Sequence, residues 1–196
     1  MKLGNFSLRI PEGKELKTQH VILSHGQQYT IEIANSSNLK CDASIYLDGD
    51  FVGNYRLDPG QVWAVEHPPD SQGRFTFYRS GSEDAKIVGE DAVENQNKGL
   101  VQVTFFPEKQ VLRAKGIRRL RAFASGDETR DFSGGVSGLS GHSFAQYSTA
   151  ESIDKDENNA VTINLRLVIQ SDNDSDTPQP LSSRKSRMSN PIPPAV

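Results

Sequence analysis

Val161-Thr162-Ile163-Asn164-Leu165-Arg166-Leu167-Val168-Ile169 is the stretch on which the fold class turns. Val161, Ile163, Leu165, Leu167 and Ile169 recur at every second position, alternating with Thr162, Asn164, Arg166 and Val168. A period of two is the side-chain repeat of a β-strand, so the segment is predicted to bury one face. The same period recurs upstream. Tyr29, Ile31 and Ile33 share a face, the loop Asn35-Ser36-Ser37-Asn38 follows, and Cys41, Ala43, Ile45 and Leu47 share the next face. Asp48-Gly49 then predicts a hairpin, because a type I′ turn needs the positive φ that Gly accepts. Its return strand carries Phe51, Val52 and Tyr55, up to the turn Asp58-Pro59-Gly60. Val62-Trp63-Ala64-Val65 reads as a short strand stopped at His67-Pro68-Pro69, since proline cannot donate to a ladder. Phe6, Leu8 and Ile10, the stretch 21–23, Phe75-Thr76-Phe77-Tyr78 and the segment 100–106 are also strand-like.

No helical periodicity is sustained anywhere. Residues 80–98 are polar and acidic and read as an excursion or a long loop. Gly126, Gly134, Gly135, Gly138 and Gly141 argue against a helix over 126–141, since each interior Gly costs about 1 kcal/mol; a flexible surface loop is expected over 134–141. The predicted architecture is all-β. It is an antiparallel β-sandwich of about eight strands with jelly-roll or Greek-key connections, occupying residues 1–170. A closed barrel is the alternative. Residues 171–196 hold five of the ten prolines and few large apolar side chains, and are expected to form an extended tail outside the core.

Composition bounds the function. The 196 residues suffice for one core or two small ones. A net charge of −3 and a pI near 5.8 argue against a globally basic nucleic-acid binder. The single Cys excludes an intramolecular disulfide and a multi-Cys zinc site. No apolar run approaches the ~18 residues of a membrane span, and no signal peptide is read at the start. A soluble domain, in the cytoplasm or a virion, is the expectation.

Candidate chemistry is sparse. His20, His25, His67 and His142 fall in no metal-binding spacing and read as surface or strand-end residues. Ser140 and Ser143 flank His142 but lack the Gly-x-Ser-x-Gly spacing of a nucleophile turn. The glycines of 134–141 form no phosphate-binding fingerprint. Asp42, Asp48, Asp50 and Asp58 cluster near the hairpin, where calcium binding competes with the ordinary preference of Asp for turns. Cys41 reads as a buried thiol. Lys109, Arg113, Lys115, Arg118, Arg119 and Arg121 form a basic run near Phe105, Phe106 and Phe123. A solvated loop or a patch facing an acidic protein is favoured over a nucleic-acid surface. No catalytic, cofactor or metal residue is assigned.

Tyr29-x-Ile31-x-Ile33-x-Asn35, Cys41-Asp42-Ala43, Asp48-Gly49, Gly53, the segment Gly138-Leu139-Ser140-Gly141-His142-Ser143 and Thr162-x-x-Leu165-Arg166-Leu167-Val168 together carry a resemblance. The chain resembles, over about residues 20–168, a family of largely uncharacterised single-domain β proteins of bacteria and of large DNA viruses or phages. His67 stands where that pattern has Arg, so no role passes to this corner. The resemblance implies a β fold and a viral setting, and no activity.

The leading expectation is a non-enzymatic structural protein, most concretely a minor capsid or decoration protein of a virion. It would dock on other subunits, or on copies of itself, through a sheet edge and a C-terminal arm. Pro178, Pro180, Arg184, Lys185, Arg187, Pro191, Pro193 and Pro194 are the residues expected to make the arm's contacts. The alternatives are a carbohydrate-binding module using Trp63, Tyr46, Tyr55 and Tyr78, and a hydrolase using Ser140 and His142.

Overall fold

Strands form where the two-residue period lies. The computed structural model describes residues 1–109 and 132–170. In chain order the strands are β1 (Lys2–Leu3), β2 (Phe6–Arg9), β3 (Lys14–Glu15), β4 (His20–Ile22), β5 (Gln27–Gln28), β6 (Ile31–Asn35), β7 (Cys41–Leu47), β8 (Asp50–Leu57), β9 (Val62–Val65), β10 (Arg74–Arg79), β11 (Leu100–Pro107), β12 (Phe132–Ser133), β13 (Gly135–Ser140) and β14 (Val161–Gln170). A five-residue helix, α1 (Glu83–Ile87), separates β10 from β11. The protein is all-β in class. The described residues form fourteen strands against the expected eight or so, because short pairings such as β1, β3, β5 and β12 carry too few residues to show a period.

Three sheets result. One has the order β1-β2-β6-β9, the second β13-β10-β5, and the third β3-β4-β14-β11-β7-β8 with β12 also paired to β14. Tyr29, Ile31 and Ile33, the Cys41 series and the Ile163 series are all buried as their spacing requires. Side chains of all three sheets join one buried cluster, in which Phe6 of β2 stacks on Phe105 of β11 with ring centroids 4.8 Å apart. The pairings among the described residues are antiparallel, with one exception: β4 runs parallel to β14. These two strands lie far apart in the chain, so no hairpin sets their relative direction.

Two expectations are corrected. Residues 80–98 are not a plain loop. Ser82 caps α1 by accepting from the Ala85 N–H at 3.1 Å, and Ala85 is buried. The Glu90 carboxylate beyond it accepts from Lys98 Nζ at 2.8 Å, from the Gly81 N–H at 2.7 Å and from Ser80 Oγ. Glu90 is only 4% exposed. Burial alone raises its pKa, but the hydrogen bonds from Lys98, Ser80 and Gly81 outweigh that and hold it at about 2. Residues 134–141 are likewise not a free loop, since β13 pairs with β10 from Gly135↔Arg79 to Ser140↔Arg74. The glycines serve close approach there. A Cβ at Gly135 would lie 2.3 Å from the Phe77 ring, and one at Gly138 2.5 Å from Val88. Gly135 and Gly138 thus serve packing against neighbours, while Gly141 has a φ of 66°, in the left-handed region that favours glycine.

The Asp48-Gly49 turn has the expected form, with φ of 53° and 96°. Its further consequence was not legible. The Asp48 carboxylate is buried and accepts from the Gly99 N–H and the Ser137 N–H, each at 2.6 Å. It thus joins the β7–β8 turn, the start of β11 and the edge strand β13. Ser137 also accepts from the Tyr29 hydroxyl at 2.7 Å. Burial raises the Asp48 pKa from 3.8 to about 6, against the lowering effect of the Ser137 and Gly99 N–H groups.

A carboxyl that holds its proton more tightly when folded loses stability as pH rises between its unfolded and folded pKa values. From 3.8 to about 6, that contribution amounts to about 3 kcal/mol. Urea unfolding of the wild type between pH 4 and 7 is expected to show this decline, and Asp48→Asn to lack it. Asp48→Ala leaves the buried Gly99 N–H and the part-buried Ser137 N–H unpaired and is expected to cost about 2–5 kcal/mol. Glu90 acts with the opposite sign: its contribution is complete above pH 4.5 and is lost as pH falls toward 2. Glu90→Gln is expected to raise amide exchange across 80–98 while β7, β11 and β14 stay protected.

Candidate functional site

A groove of about 640 Å³ opens where two sheets end side by side. β8 is the last strand of one sheet and β9 the last of another, and the turn at Asp58 connects them. That turn is tight because the Gln61 N–H donates to the Asp58 carbonyl at 3.1 Å. Asn54, Tyr55 and Arg56 of β8 and Trp63 of β9 line the groove, and residues 147–150 and Ser152 form its far wall.

Three rings form the apolar surface. Tyr147 lies 5.5 Å from Tyr55 and 6.1 Å from Trp63, centroid to centroid. Both tyrosine hydroxyls donate to the same acceptor, the His67 carbonyl, at 3.2 Å each. Burial pushes both phenols above their ordinary pKa, and each is a neutral donor at neutral pH. The Trp63 indole N–H is buried and has no acceptor among the described residues. The polar wall is built around Asp42, which holds Arg56 Nε at 2.5 Å and Lys155 Nζ at 3.3 Å. Lys155 in turn lies over the Phe106 ring at 5.5 Å. Ser44 donates to Asn54 Oδ1 at 2.6 Å and fixes that amide across the β7–β8 pair.

His67 lies just past the end of β9, as a strand-end residue would, but it is not at the surface. It is 3% exposed, with Nδ1 2.6 Å from the Pro68 carbonyl, Nε2 3.1 Å from the Ala145 carbonyl and its ring 4.7 Å from Tyr147. The ring joins the end of β9 to the 145–152 wall, a role that only the path of a distant segment creates.

The other candidates are dispersed. His25 pairs with Asp84 at 3.3 Å, His20 meets Thr18 at 2.8 Å, and His142 packs edge-on against Phe144. Ser140 Oγ lies 2.6 Å from Thr76 Oγ1, and Ser143 donates to Glu66 at 2.8 Å. The aspartates do not converge: Asp42 is paired with cations and Asp48 with backbone amides. Among the described residues no three His, Cys, Asp or Glu side chains are placed to hold a metal ion. Cys41 is buried, and desolvation pushes its thiol up to about 12. Of the basic run, Lys109 pairs with Asp154 at 2.8 Å; Arg113, Lys115, Arg118, Arg119, Arg121 and Phe123 lie outside the described residues. So do Pro178, Pro180, Arg184, Lys185, Arg187, Pro191, Pro193 and Pro194.

Of the four aromatic residues picked out for sugar stacking, Tyr55 and Trp63 meet at the groove. Tyr46 instead pairs with Phe51, and Tyr78 with His25. Tyr147 and the Asp42–Arg56–Lys155 group had no sequence signal. Tyr147 stands in an irregular polar stretch, and the charges come from separated segments. Among the described residues no helix is long and apolar enough to cross a membrane. Compared with known proteins, the chain matches no family model, no curated protein and no solved structure.

Tyr147 is the residue that closes the groove on Trp63. Tyr147→Phe is expected to cost about 1 kcal/mol for the lost hydrogen bond to the His67 carbonyl. Tyr147→Ala is expected to cost about 2 kcal/mol and to shift the Trp63 emission to the red, checked by thermal unfolding and fluorescence.

Proposed function

We propose that this chain is a non-enzymatic assembly protein that works by contact, most concretely a minor capsid or decoration component of a virion. In this reading its sheets form an antiparallel jelly-roll or Greek-key β-sandwich. It docks on other subunits, or on copies of itself, through a sheet edge and an arm made by residues 171–196. The observation that carries the reading is the open side formed by β8 and β9. β8 has eight residues and pairs only with β7 among the described residues, and its Phe51 is 56% exposed. β9 closes the neighbouring sheet and exposes Val62 at 58%. Unpaired strand edges bearing apolar side chains are templates for another chain, and proteins that do not use them cover or charge them.

A second reading treats the groove as a saccharide site. Its support is the trio of Tyr55, Trp63 and Tyr147 beside the amide of Asn54, since sugars stack on rings and bond to flanking amides. A glycan array without hits removes it.

Removal of residues 171–196 is expected to reduce incorporation into the parent assembly while the far-ultraviolet spectrum of residues 1–170 persists. Phe51→Lys, which charges the open edge, is expected to reduce incorporation at unchanged melting temperature. Co-sedimentation with the particle checks both, and full incorporation of both variants would sink the reading.

A further inference from the structure

Two carbonyl oxygens face one buried imidazole. Nδ1 of His67 lies 2.6 Å from the Pro68 carbonyl and Nε2 lies 3.1 Å from the Ala145 carbonyl. A carbonyl oxygen accepts and never donates. A neutral imidazole has one N–H and one lone pair, so it can serve one of these carbonyls and must turn its lone pair on the other. Only a ring protonated at both nitrogens donates to both. Burial makes the difference count, because water does not replace a hydrogen bond that is left unmade there.

The groups around the ring accept a cation. Glu66, the preceding residue, accepts from Ser143 Oγ at 2.8 Å and has Arg74 of β10 at 3.7 Å. The Tyr147 ring is 4.7 Å from the imidazole, inside the ~6 Å over which an aromatic ring attracts a positive charge. The phenols of Tyr147 and of Tyr55 on β8 are neutral and donate to the His67 carbonyl. Asp70, in the turn that follows, is exposed, and its charge acts on Tyr55.

The two hydrogen bonds hold different things. Pro68 is the next residue in the chain, so the bond to its carbonyl is local. Ala145 is 78 residues away and opens the wall that carries Tyr147 onto Tyr55 and Trp63. Loss of the Nε2 proton turns a donor into a lone pair facing the Ala145 oxygen, and the contact that seats the wall becomes repulsive. The Ala145 N–H still donates to Ser143 Oγ at 3.1 Å, and Tyr147 still donates to the His67 carbonyl, so the wall loosens without detaching.

We infer that His67 is a proton-operated latch on the groove: protonated at both nitrogens it ties the 145–152 wall to the end of β9, and loss of the Nε2 proton loosens that wall and opens the groove at Tyr147 and Trp63. The latch is independent of what the groove receives, and it stands or falls apart from both the assembly and the saccharide readings.

The full chain, labelled with nitrogen-15, is titrated from pH 5 to pH 8, the interval in which imidazole changes charge. Ring nitrogen shifts count the protons on His67, and the signal that disappears in His67→Gln identifies it. Trp63 is the only tryptophan, so acrylamide quenching of its emission reports on the groove. The expected result is a His67 ring with two protons at pH 5 that gives up the one on Nε2 as pH rises. Trp63 quenching is expected to increase on the same curve. Amide exchange at Gln146 and Tyr147, corrected for its intrinsic pH dependence, is expected to rise roughly five- to tenfold, as for one lost hydrogen bond. His67→Gln can donate to only one of the carbonyls and is expected to show the loosened wall at every pH, with no step. His142→Gln and Asp48→Asn are expected to keep the step; its loss in either would assign it to that residue and overturn the latch. A His67 ring with a single proton at pH 5 would overturn it, as would a ring that keeps both protons through pH 8. So would a change in protonation that leaves Trp63 quenching and amide exchange flat. These readings come from the wild type, so they decide the matter even if His67→Gln fails to fold.

Discussion

One buried carboxylate ties together three parts of this fold: the β7–β8 turn, the start of β11 and the edge strand β13. Asp48 sits at a turn whose left-handed backbone points its side chain inward, where it accepts from Gly99 and Ser137. Without that acceptor, the start of β11 and the edge strand β13 would each bury an amide with no partner. Burial disfavours the charged form, which is why the carboxyl holds its proton to a higher pH than usual. Two short charge-assisted hydrogen bonds from backbone N–H groups keep the ionised form tolerable. The same link sets Ser137 under the Tyr29 hydroxyl and so connects the β13-β10-β5 sheet to the shared core.

The hairpin that carries Asp48 also makes the open side of the molecule. Once β7 turns back into β8, the sheet ends, and the tight turn at Asp58 starts β9 on the neighbouring sheet. Two strand edges thus lie next to each other with nothing paired beyond them among the described residues. The 145–152 segment leans on this side through Tyr147 and His67 and leaves a groove in place of a sealed seam. The strand that ends the described fold, β14, is the long central one, and its ten residues carry the chain to the other end of the sheet. The groove and Gln170 lie toward opposite ends of the sheet for a simple reason: a long strand separates its two ends by its own length.

The charged groups divide by how they are satisfied. Glu90 is buried and stays ionised because Lys98, Gly81 and Ser80 all meet it. Asp42 is shared by Arg56 and Lys155. Asp58 and Asp70 are exposed and left to solvent or to a partner. Buried acids here hold the structure, while exposed ones near the groove contribute little to it.

Much of the fold was legible because alternation is a local signal. A strand that buries one face writes its period into the chain, so β6, β7, β11 and β14 could be read from Ile31, Cys41, Val101 and Val161 onward. The Asp48-Gly49 turn was legible for the same reason: its φ values depend on two adjacent residues. Sequence by itself determined the all-β class, the hairpin and the exclusion of a disulfide. Tertiary structure alone decided that β4 runs parallel to β14, that glycines 135 and 138 serve packing, that His67 is buried, and that Tyr147 joins Tyr55 and Trp63. Each of these depends on which distant segments meet, and the period within a strand does not say which other segment it meets or in which direction.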